Sequence, residues 1–407
     1  MSRIGIYGGT FNPPHTGHML AVREFAEKLG LDRVLMIPDR VPPHKPMAAG
    51  SPDAETRLRL CQLAAQELPF VTVSDLELHR EGRSYTADTV RELKGQYPDD
   101  ELILLMGTDM FLTFHQWWKP EEIVKYVSLA MAHRADPSEQ EQAAITAQKM
   151  WLEQELGAKA EIVQNDLIEI SSTAVRSLLL LGAGEDVLPE AVYGEILRQG
   201  LYRTGESLRN LPTEQLRKVS LSLHKAKRIP HVEGCCRLAV SLAERWGADP
   251  EQAARAAILH DCTKMFSATE QLILCRRYDI LLDDFDRQNE SLLHAKTAAA
   301  VAARVFGEAE EICSAIRWHT TGRAGMTKLE KIVYLADMIE ETRSYDGVEE
   351  LRLMAQQNLD GAVRLALRRT IEFVQSGGRL LHPDSGAALR YEEERSQISD
   401  RNNEVDK

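Results

Sequence analysis

The sequence predicts two folds in series: an α/β domain built on a parallel sheet, then an all-helical domain. Three observations carry this. Over the first half, strand-like runs alternate with helical stretches, the pattern of a parallel sheet covered on both faces. Beyond about residue 200 the apolar periodicity is helical, with no convincing strand up to about residue 390. Between the two, "YRTGESLRNLPTEQ" is polar and carries Gly and Pro, as a linker does. At 407 residues the chain also exceeds what one compact core usually accommodates. The expected boundaries are 1–203, a linker at 204–212, a helical domain at 213–390 and a tail at 391–407.

The elements follow in order. "RIGIYGG" is a short buried strand ending at Gly8 and Gly9. "GHMLAVREFAEKLG" is helical and closes on Gly30, a natural residue just past a helix end. "RVLMIP" is the next strand, and "SPDAETRLRLCQLAAQEL" an amphipathic helix with Pro52 and Asp53 near its start. "VTVSDLEL" alternates, "SYTADTVRELKGQY" is helical, and "ELILLMGTD", "VSLAMAHR" and "AEIVQND" complete the strands. In such sheets ligands sit at the carboxyl ends of the strands. In the second half the helices are "EGCCRLAVSLAERWG", "PEQAARAAILHDCTKMF", "LHAKTAAAVAARVFG", "AEEICSAIRWHT", "KLEKIVYLADMIEETR" and "LDGAVRLALRRTIEFVQSG". The closing "RYEEERSQISDRNNEVDK" has almost nothing to bury and reads as disordered. The halves differ in class, so they are not a duplication.

Composition narrows the partners. Hydrophobic content of 43% and charged content of 27% are those of an ordinary globular protein. A net charge of -13 argues against nonspecific binding to nucleic acid or an anionic membrane, so anionic substrates would need local cationic pockets. Six cysteines without a CxxC pair suit free thiols in a reducing cytoplasm. The start "MSRIGIYGG" is too short an apolar run for a secretory leader, and no segment has the apolar length of a membrane span. A homo-oligomer is left open.

The loop "GGTFNPPHTGH", Gly8 to His18, stands where the first strand runs out. Glycines there allow close approach to a ligand or a positive φ. Pro13 and Pro14 stiffen the loop. A helix starting near Gly17 or His18 aims its free N–H groups at the loop, which favours an anion. His15 and His18 stand three apart around that start, so both imidazoles can face one point. Beside a polyphosphate they can donate hydrogen bonds to charge building on a phosphoryl oxygen. A glycine pair with incidental histidines would be only a tight turn; the full string makes that reading poor.

The string resembles the HxGH signature of the nucleotidyltransferase superfamily, which transfers a nucleoside monophosphate from a nucleoside triphosphate and releases pyrophosphate. The resemblance implies a Rossmann-like nucleotidyltransferase fold, with Gly8, Gly9, Thr10, Phe11, His15 and His18 on ATP. Four further motifs, in order over residues 1 to about 203, resemble one family, nicotinate-nucleotide adenylyltransferase. "PPHK" resembles its lysine loop, which places Lys45 on phosphates as a point charge. "GRSYTADTV" resembles the stretch beside the pyridine nucleotide, which implies Tyr85 and Thr86 there. "GTDMFLTFHQWW" resembles the GxD…W segment, with Asp109 by the ATP ribose and Trp117 stacked on the nicotinate ring. "ISSTAVR" resembles the ISSTxxR motif: Ser171, Ser172 and Thr173 cap a helix, Ser172 and Thr173 lie on ATP, and Arg176 grips the β and γ phosphates. In "AHRADP" Arg134, implied on nicotinate mononucleotide, is kept, whereas the family's following Pro-Gly is not. "EILRQGLYR" resembles the closing helix. Singly these are a cap, a surface lysine and core aromatics; their order and spacing carry the resemblance.

The implied reaction is attack by the 5′-phosphate of nicotinate mononucleotide on the α-phosphorus of ATP, giving deamido-NAD and pyrophosphate. The nucleophile is already an anion, so positioning and charge neutralisation suffice. His15, His18, Lys45, Arg176 and a Mg²⁺ carried by ATP would supply them.

In the helical half, His260 and Asp261 follow the apolar "AARAAIL", and Asp337 sits within "IVYLADMI". Such buried polar groups are costly without partners, and a metal would satisfy them. His231, His294 and His319 complete a set of six candidate ligands. Imidazole with carboxylate suits iron, manganese, zinc or magnesium, and the donor set does not choose; iron is the first expectation and manganese stays open. The set resembles the HD phosphohydrolase superfamily with its H…HD…D order, and His294 and His319 match the subset that can hold two metals. Two ions sharing Asp261 could activate water for attack on phosphorus, with Lys264 facing the phosphate. His224 and His382 do not fit the ligand pattern and read as structural or exposed. Residues from about 213 to 390 resemble the YqeK family of bacterial HD proteins, through "IPHVEG", "HDCTK", "RWHTTG" and "LLHPDSG". That resemblance implies symmetrical hydrolysis of diadenosine tetraphosphate to two ADP. Two alternatives stand beside this bifunctional reading. The helical half could be a nucleotide-sensing module, which metal content and turnover with and without His260 and Asp261 would reveal. The front half could use another substrate such as phosphopantetheine, against which Trp117 and "SYTADT" count.

Overall fold

The structure is a computed structural model that describes residues 1–42, 46–134, 138–165 and 170–405. It divides into two compact units, Met1–Glu206 and Ser207–Lys407. The first is built on β1 (Arg3–Gly9), α1 (Thr16–Leu29), β2 (Arg33–Pro38), α2 (Ala54–Ala65), β3 (Val71–Val73), α3 (Thr86–Gln96), β4 (Glu101–Gly107), α4 (Thr108–Leu112), α5 (Pro120–Tyr126), β5 (Ser128–Arg134), α6 (Glu139–Leu156), β6 (Ala160–Asn165), α7 (Ser172–Leu180) and α8 (Glu190–Gln199). The six strands pair in parallel in the order β3-β2-β1-β4-β5-β6, the dinucleotide-fold order. The order reverses between β1 and β4, so the ends of those two strands, Gly9 and Gly107, flank the crevice where such sheets bind ligands.

Strand interiors such as Val34 to Ile37 and Leu102 to Met106 are buried on both faces, which is why they read as continuous apolar runs. Gly30 closes α1 at φ 59°, as expected. The alternating "VTVSDLEL" gives only the three residues of β3, an edge strand whose chain then turns at Asp75 to Leu78. The helix expected near Gly17 or His18 begins at Thr16, with His15 as its N-cap.

The second unit is helical, and no strand occurs among its described residues. It comprises α9 (Thr213–Ser222), α10 (Ile229–Trp246), α11 (Pro250–Leu259), α12 (Ala268–Arg277), α13 (Asp284–Gln288), α14 (Leu293–Val301), α15 (Glu310–Arg317), α16 (Lys328–Ile339), α17 (Val348–Gln357), α18 (Leu359–Ser376) and α19 (Pro383–Val405). Three differences from expectation have local causes. The helix expected over 250–266 ends at Leu259, and His260 and Asp261 lie in the turn beyond it. Adjacent residues on an α-helix project about 100° apart; a turn lets both side chains serve one centre. Most of the expected linker folds onto the second unit: Leu208 is buried, and the Asn210 N–H donates to the Phe306 carbonyl at 2.8 Å. The stretch expected to be disordered begins inside α19, where Glu392 is buried and accepts from Lys331 Nζ at 2.9 Å through Oε2. A charged tail reads as solvated unless a buried lysine elsewhere needs its carboxylate.

No helix among the described residues is long and apolar enough to cross a membrane.

Candidate active sites

The first site grows out of the loop after β1. Neither Gly8 nor Gly9 takes positive φ; Phe11 does, at 45°. A Cβ on Gly9 would come 3.1 Å from the Phe11 ring, so glycine there makes room for that ring, while Gly8 faces open space. The loop is clamped from below and from the side. Arg57, 1% exposed, donates to the Thr10 carbonyl at 2.6 Å, the Asp39 carbonyl at 2.7 Å and Asp39 Oδ1 at 3.3 Å. Thr10 Oγ1 donates to Asp39 Oδ2 at 2.8 Å. Tyr202 donates to Asn12 Oδ1 at 2.9 Å, and Asn12 donates to Ser51 Oγ at 2.7 Å.

His15 and His18 stack, with ring centroids 3.6 Å apart and planes at 28°. The His15 N–H donates to His18 Nδ1 at 3.1 Å, so a neutral His18 carries its proton on Nε2, where it can be donated. The Phe11 ring holds the other side of His18 edge-on at 5.1 Å. Burial pushes His15 well below the usual imidazole range, with His18 adding to the effect, and burial brings His18 down to about 3. Both are neutral without ligand. Buried His15 Nδ1 has no hydrogen-bond partner, and a phosphate oxygen could supply one.

The structure joins the motif in α7 to this loop. Ser171 caps α7 by accepting from the Ala174 N–H at 3.1 Å. Ser172 donates to the Pro13 carbonyl at 3.3 Å. Arg176 donates to the Asn12 carbonyl at 2.7 Å and to Thr173 Oγ1 at 3.1 Å; burial lowers its pKa. Asp109 is exposed in the first turn of α4, beyond the end of β4. Tyr85 is the N-cap of α3 and Thr86 its first residue. Trp117, expected on the nicotinate ring, is half-buried, with its centroid 5.1 Å from Phe114 at the edge of the core. Trp118, 42% exposed, faces Tyr85 at 4.7 Å, with Lys119 Nζ 4.4 Å from its ring. Lys45 and the Arg134 side chain lie outside the described residues.

Arg57, Asp39, Asn12 and Tyr202 were missed from the sequence. Arg57 had a signal: it shares the apolar stripe of α2 with Leu60, Cys61 and Ala64. Arg57→Met removes the donor to Asp39 Oδ1 and to the Thr10 and Asp39 carbonyls, and should destabilise the first unit by about 3–5 kcal/mol, read from denaturant midpoints. The histidines set a pH dependence. Their folded pKa values lie below the unfolded value of about 6.5, so the unfolded chain binds more protons between the two. Stability of this unit should therefore be flat above about pH 7 and fall as pH drops through about 6.5. The variant carrying His15→Gln and His18→Gln should show a flatter curve.

The second site surrounds Asp261, which is fully buried. His260, His294 and His319 each donate Nδ1–H to a backbone carbonyl three residues back, at 2.7 Å. His231 Nδ1 faces Glu340 Oε1 at 2.9 Å. All four Nε2 atoms are thereby left as lone-pair donors, the arrangement of metal-binding histidines. They sort around the two oxygens of Asp261. Nε2 of His260 lies 3.4 Å, and of His231 3.9 Å, from Oδ2; Nε2 of His294 lies 3.3 Å, and of His319 3.5 Å, from Oδ1. Asp337 Oδ1 closes the first lobe, 3.1 Å from His231 Nε2 and 3.8 Å from His260 Nε2. Burial opposes the charge on Asp261 and Asp337, but the imidazoles beside them outweigh it and hold both carboxyls well below the usual range. Burial brings His294 down to about 4.

These residues fit divalent cations. Buried His260 Nε2 and Asp261 Oδ1 have no hydrogen-bond partner, and the Nε2 atoms of His294 and His319 face each other at 3.3 Å. Two sets of donors lie within 4.8 Å of one another: His231, Cys235, His260 and Asp337; and His260, Asp261 and His319. Three cations rim the centre. Arg228 bonds Asp261 Oδ2 through Nε at 2.9 Å, Arg343 bonds Asp337 Oδ1 at 2.7 Å, and Lys264 Nζ lies 3.4 Å from Asp261 Oδ1 and 3.3 Å from His294 Nε2. Cys235 donates to the Ala336 carbonyl at 3.6 Å, and burial pushes its thiol up. His224 is half-buried, with no hydrogen-bond partner at Nε2, and His382 sits edge-on to Phe285 at 4.6 Å.

Arg228, Arg343, Cys235 and Glu340 were also missed. Glu340 is held by the N–H and Oγ1 of Thr342, both at 2.6 Å. Its approach to His231 depends on Gly234, where a Cβ would stand 2.6 Å from Glu340 Oε2. Gly234→Ala should push Glu340 off His231 and weaken metal binding by about 10–100-fold, as a metal titration of the full chain would show.

The two units thus define two classes: a dinucleotide-type α/β domain with an anion-binding histidine loop, and a helical domain with a His/Asp metal-type centre. Comparison with known proteins narrows both. A Cytidylyltransferase-like domain matches residues 6–178, and an HD domain matches residues 228–342. A protein named probable nicotinate-nucleotide adenylyltransferase from Lachnoclostridium phytofermentans is 33% identical over 203 residues, 50% of this chain and 100% of that one. One of the same name from Geobacter sulfurreducens is 37% identical over 49% of this chain and 98% of its own. A crystal structure described as a predicted HD superfamily hydrolase involved in NAD metabolism, from Clostridium acetobutylicum, is 34% identical with a TM-score of 0.44, over 46% of this chain and 98% of that one. Over its N-terminal half the chain belongs to the nicotinate-nucleotide adenylyltransferase family, and an HD domain follows.

Proposed function

We propose that the chain is bifunctional: residues 1–203 adenylylate nicotinate mononucleotide from ATP, and residues 213–390 hydrolyse diadenosine tetraphosphate symmetrically to two ADP. The supporting observation in front is the stacked His15–His18 pair at the reversal point of the sheet, with Arg176 fixed to the same loop. ATP, carrying Mg²⁺, lies over this loop with its polyphosphate toward the helix start. His18 Nε2–H and His15 donate to the phosphoryl oxygens on which charge builds, and Arg176 holds the departing pyrophosphate. Nicotinate mononucleotide occupies the side of Tyr85, Thr86 and the indoles, with Lys45 and Arg134 on its acidic groups, and its phosphate attacks in line. Asp109 takes the ribose of ATP.

For the helical half, the support is the division of four histidine Nε2 atoms between the two oxygens of Asp261. His231, His260, Asp261 and Asp337 would hold one divalent ion, and Asp261, His294 and His319 a second; iron is the first choice and manganese the next. When bound, the ions supply Lewis acidity and lower the pKa of an attacking water. The chain's own part is to fix the Nε2 donors through their Nδ1–H bonds and to present Lys264, Arg228 and Arg343 to the phosphate chain. The setting is cytoplasmic. Product analysis tests both halves: ATP with nicotinate mononucleotide, nicotinamide mononucleotide or phosphopantetheine, and separately diadenosine tetraphosphate, each with a metal screen. Transfer to phosphopantetheine alone would overturn the first assignment. A metal-loaded chain that binds nucleotides without turning them over would make the helical half a sensor.

A further inference from the structure

Cys235 lies one helical turn beyond His231 on the same face of α10. Its Sγ is 3.4 Å from His231 Nε2, the atom that His231 offers to the centre. Two donors bound to one ion at about 2.0–2.1 Å (nitrogen) and about 2.3 Å (sulfur) stand about 3.1–3.6 Å apart for ordinary bond angles. The observed separation is thus an edge of a coordination polyhedron. Sγ also belongs to the group of four donor atoms, with His231, His260 and Asp337, that lie within 4.8 Å of one another. Into the same space points buried His260 Nε2, which has no hydrogen-bond partner.

We propose that Cys235 is a sulfur ligand of the ion held by His231, His260 and Asp337, and that it biases this position toward a borderline-soft ion such as Zn²⁺ or Fe²⁺ over Mg²⁺ or Mn²⁺. The inference rests on the metal reading of the helical half and names one more donor within it. Thiolate favours the softer ions, whereas imidazole and carboxylate alone leave the choice open. As the ion binds, the thiol proton passes to solvent and the sulfur exchanges its bond to the Ala336 carbonyl for one to the ion. The neighbouring Cys236 is directed elsewhere, with its Sγ 3.9 Å from the Ala254 carbonyl, and serves as an internal control.

The test is the full chain titrated with Co²⁺, with bound metal counted and the near-ultraviolet spectrum recorded. A sulfur-to-cobalt charge-transfer band is expected, persisting in Cys236→Ser and lost in Cys235→Val. Cys235→Val, close in size and apolar, should keep its helical circular dichroism and its adenylyl transfer. Its Zn²⁺ affinity should fall by about 10-fold or more, with Mn²⁺ affinity little changed. Cobalt bound without the band, or a band surviving in Cys235→Val, would overturn the sulfur ligand and leave the metal reading standing. A chain that binds no ion would overturn both.

Discussion

His18→Ala is expected to slow pyrophosphate release from ATP and nicotinate mononucleotide by about 10²–10³-fold, the usual effect of removing one hydrogen-bond donor to a developing oxyanion. The loss should fall on kcat more than on KM, because the donor acts on charge that exists fully only in the transition state. His18 is supported on both sides, by His15 at 3.6 Å and by the Phe11 edge at 5.1 Å, so its Nε2–H is oriented before substrate arrives. His15→Ala should cost at least as much, because it removes both a donor and the platform under His18. His18→Asn, which keeps a donor, should recover part of the rate. The hydrolysis proposed for the helical half serves as the control on the same chain and should be unchanged in all three variants.

The second large effect is Asp261→Asn. The amide keeps the shape of the side chain but removes the charge shared by both lobes. It also leaves Arg228 facing a neutral group. Changes around a metal ligand already cost about 10–100-fold; loss of the ligand both lobes share should exceed that in metal affinity and in hydrolysis. Metal content by elemental analysis should fall together with the rate, while adenylyl transfer stays at its normal level. Retained metal with lost turnover would instead place Asp261 in the chemistry alone.

What the sequence revealed follows from how far each signal depends on distant residues. The parallel sheet was legible because strands buried on both faces, such as Val34 to Ile37, must be apolar throughout. The polar centre of the helical half was legible at three positions, because His260, Asp261 and Asp337 stand in or beside apolar helical stretches at a cost that only partners repay; His231, His294 and His319 were joined to them by family resemblance. The end of α11 at Leu259 was hidden, since neither Gly nor Pro follows it and the polar pair His260–Asp261 reads equally well as a further helical turn. Which of two neighbouring indoles faces inward was likewise hidden, because Trp117 and Trp118 are identical in type and Phe114 decides between them. Glu340 reads as one more acid at the end of α16, and its role appears only with Gly234 and His231 beside it. Glu392 looks solvated until Lys331, distant in sequence, is placed against it.

The most direct single measurement is one chromatographic run of the products formed by the full chain from ATP and nicotinate mononucleotide, comparing the native sequence, the variant carrying His15→Ala and His18→Ala, and Asp261→Asn. Deamido-NAD and pyrophosphate in equal amounts from the native chain and Asp261→Asn, and almost none from the double histidine variant, is the result expected of a phosphoryl-stabilising imidazole pair. Normal product from the chain lacking both imidazoles would contradict it.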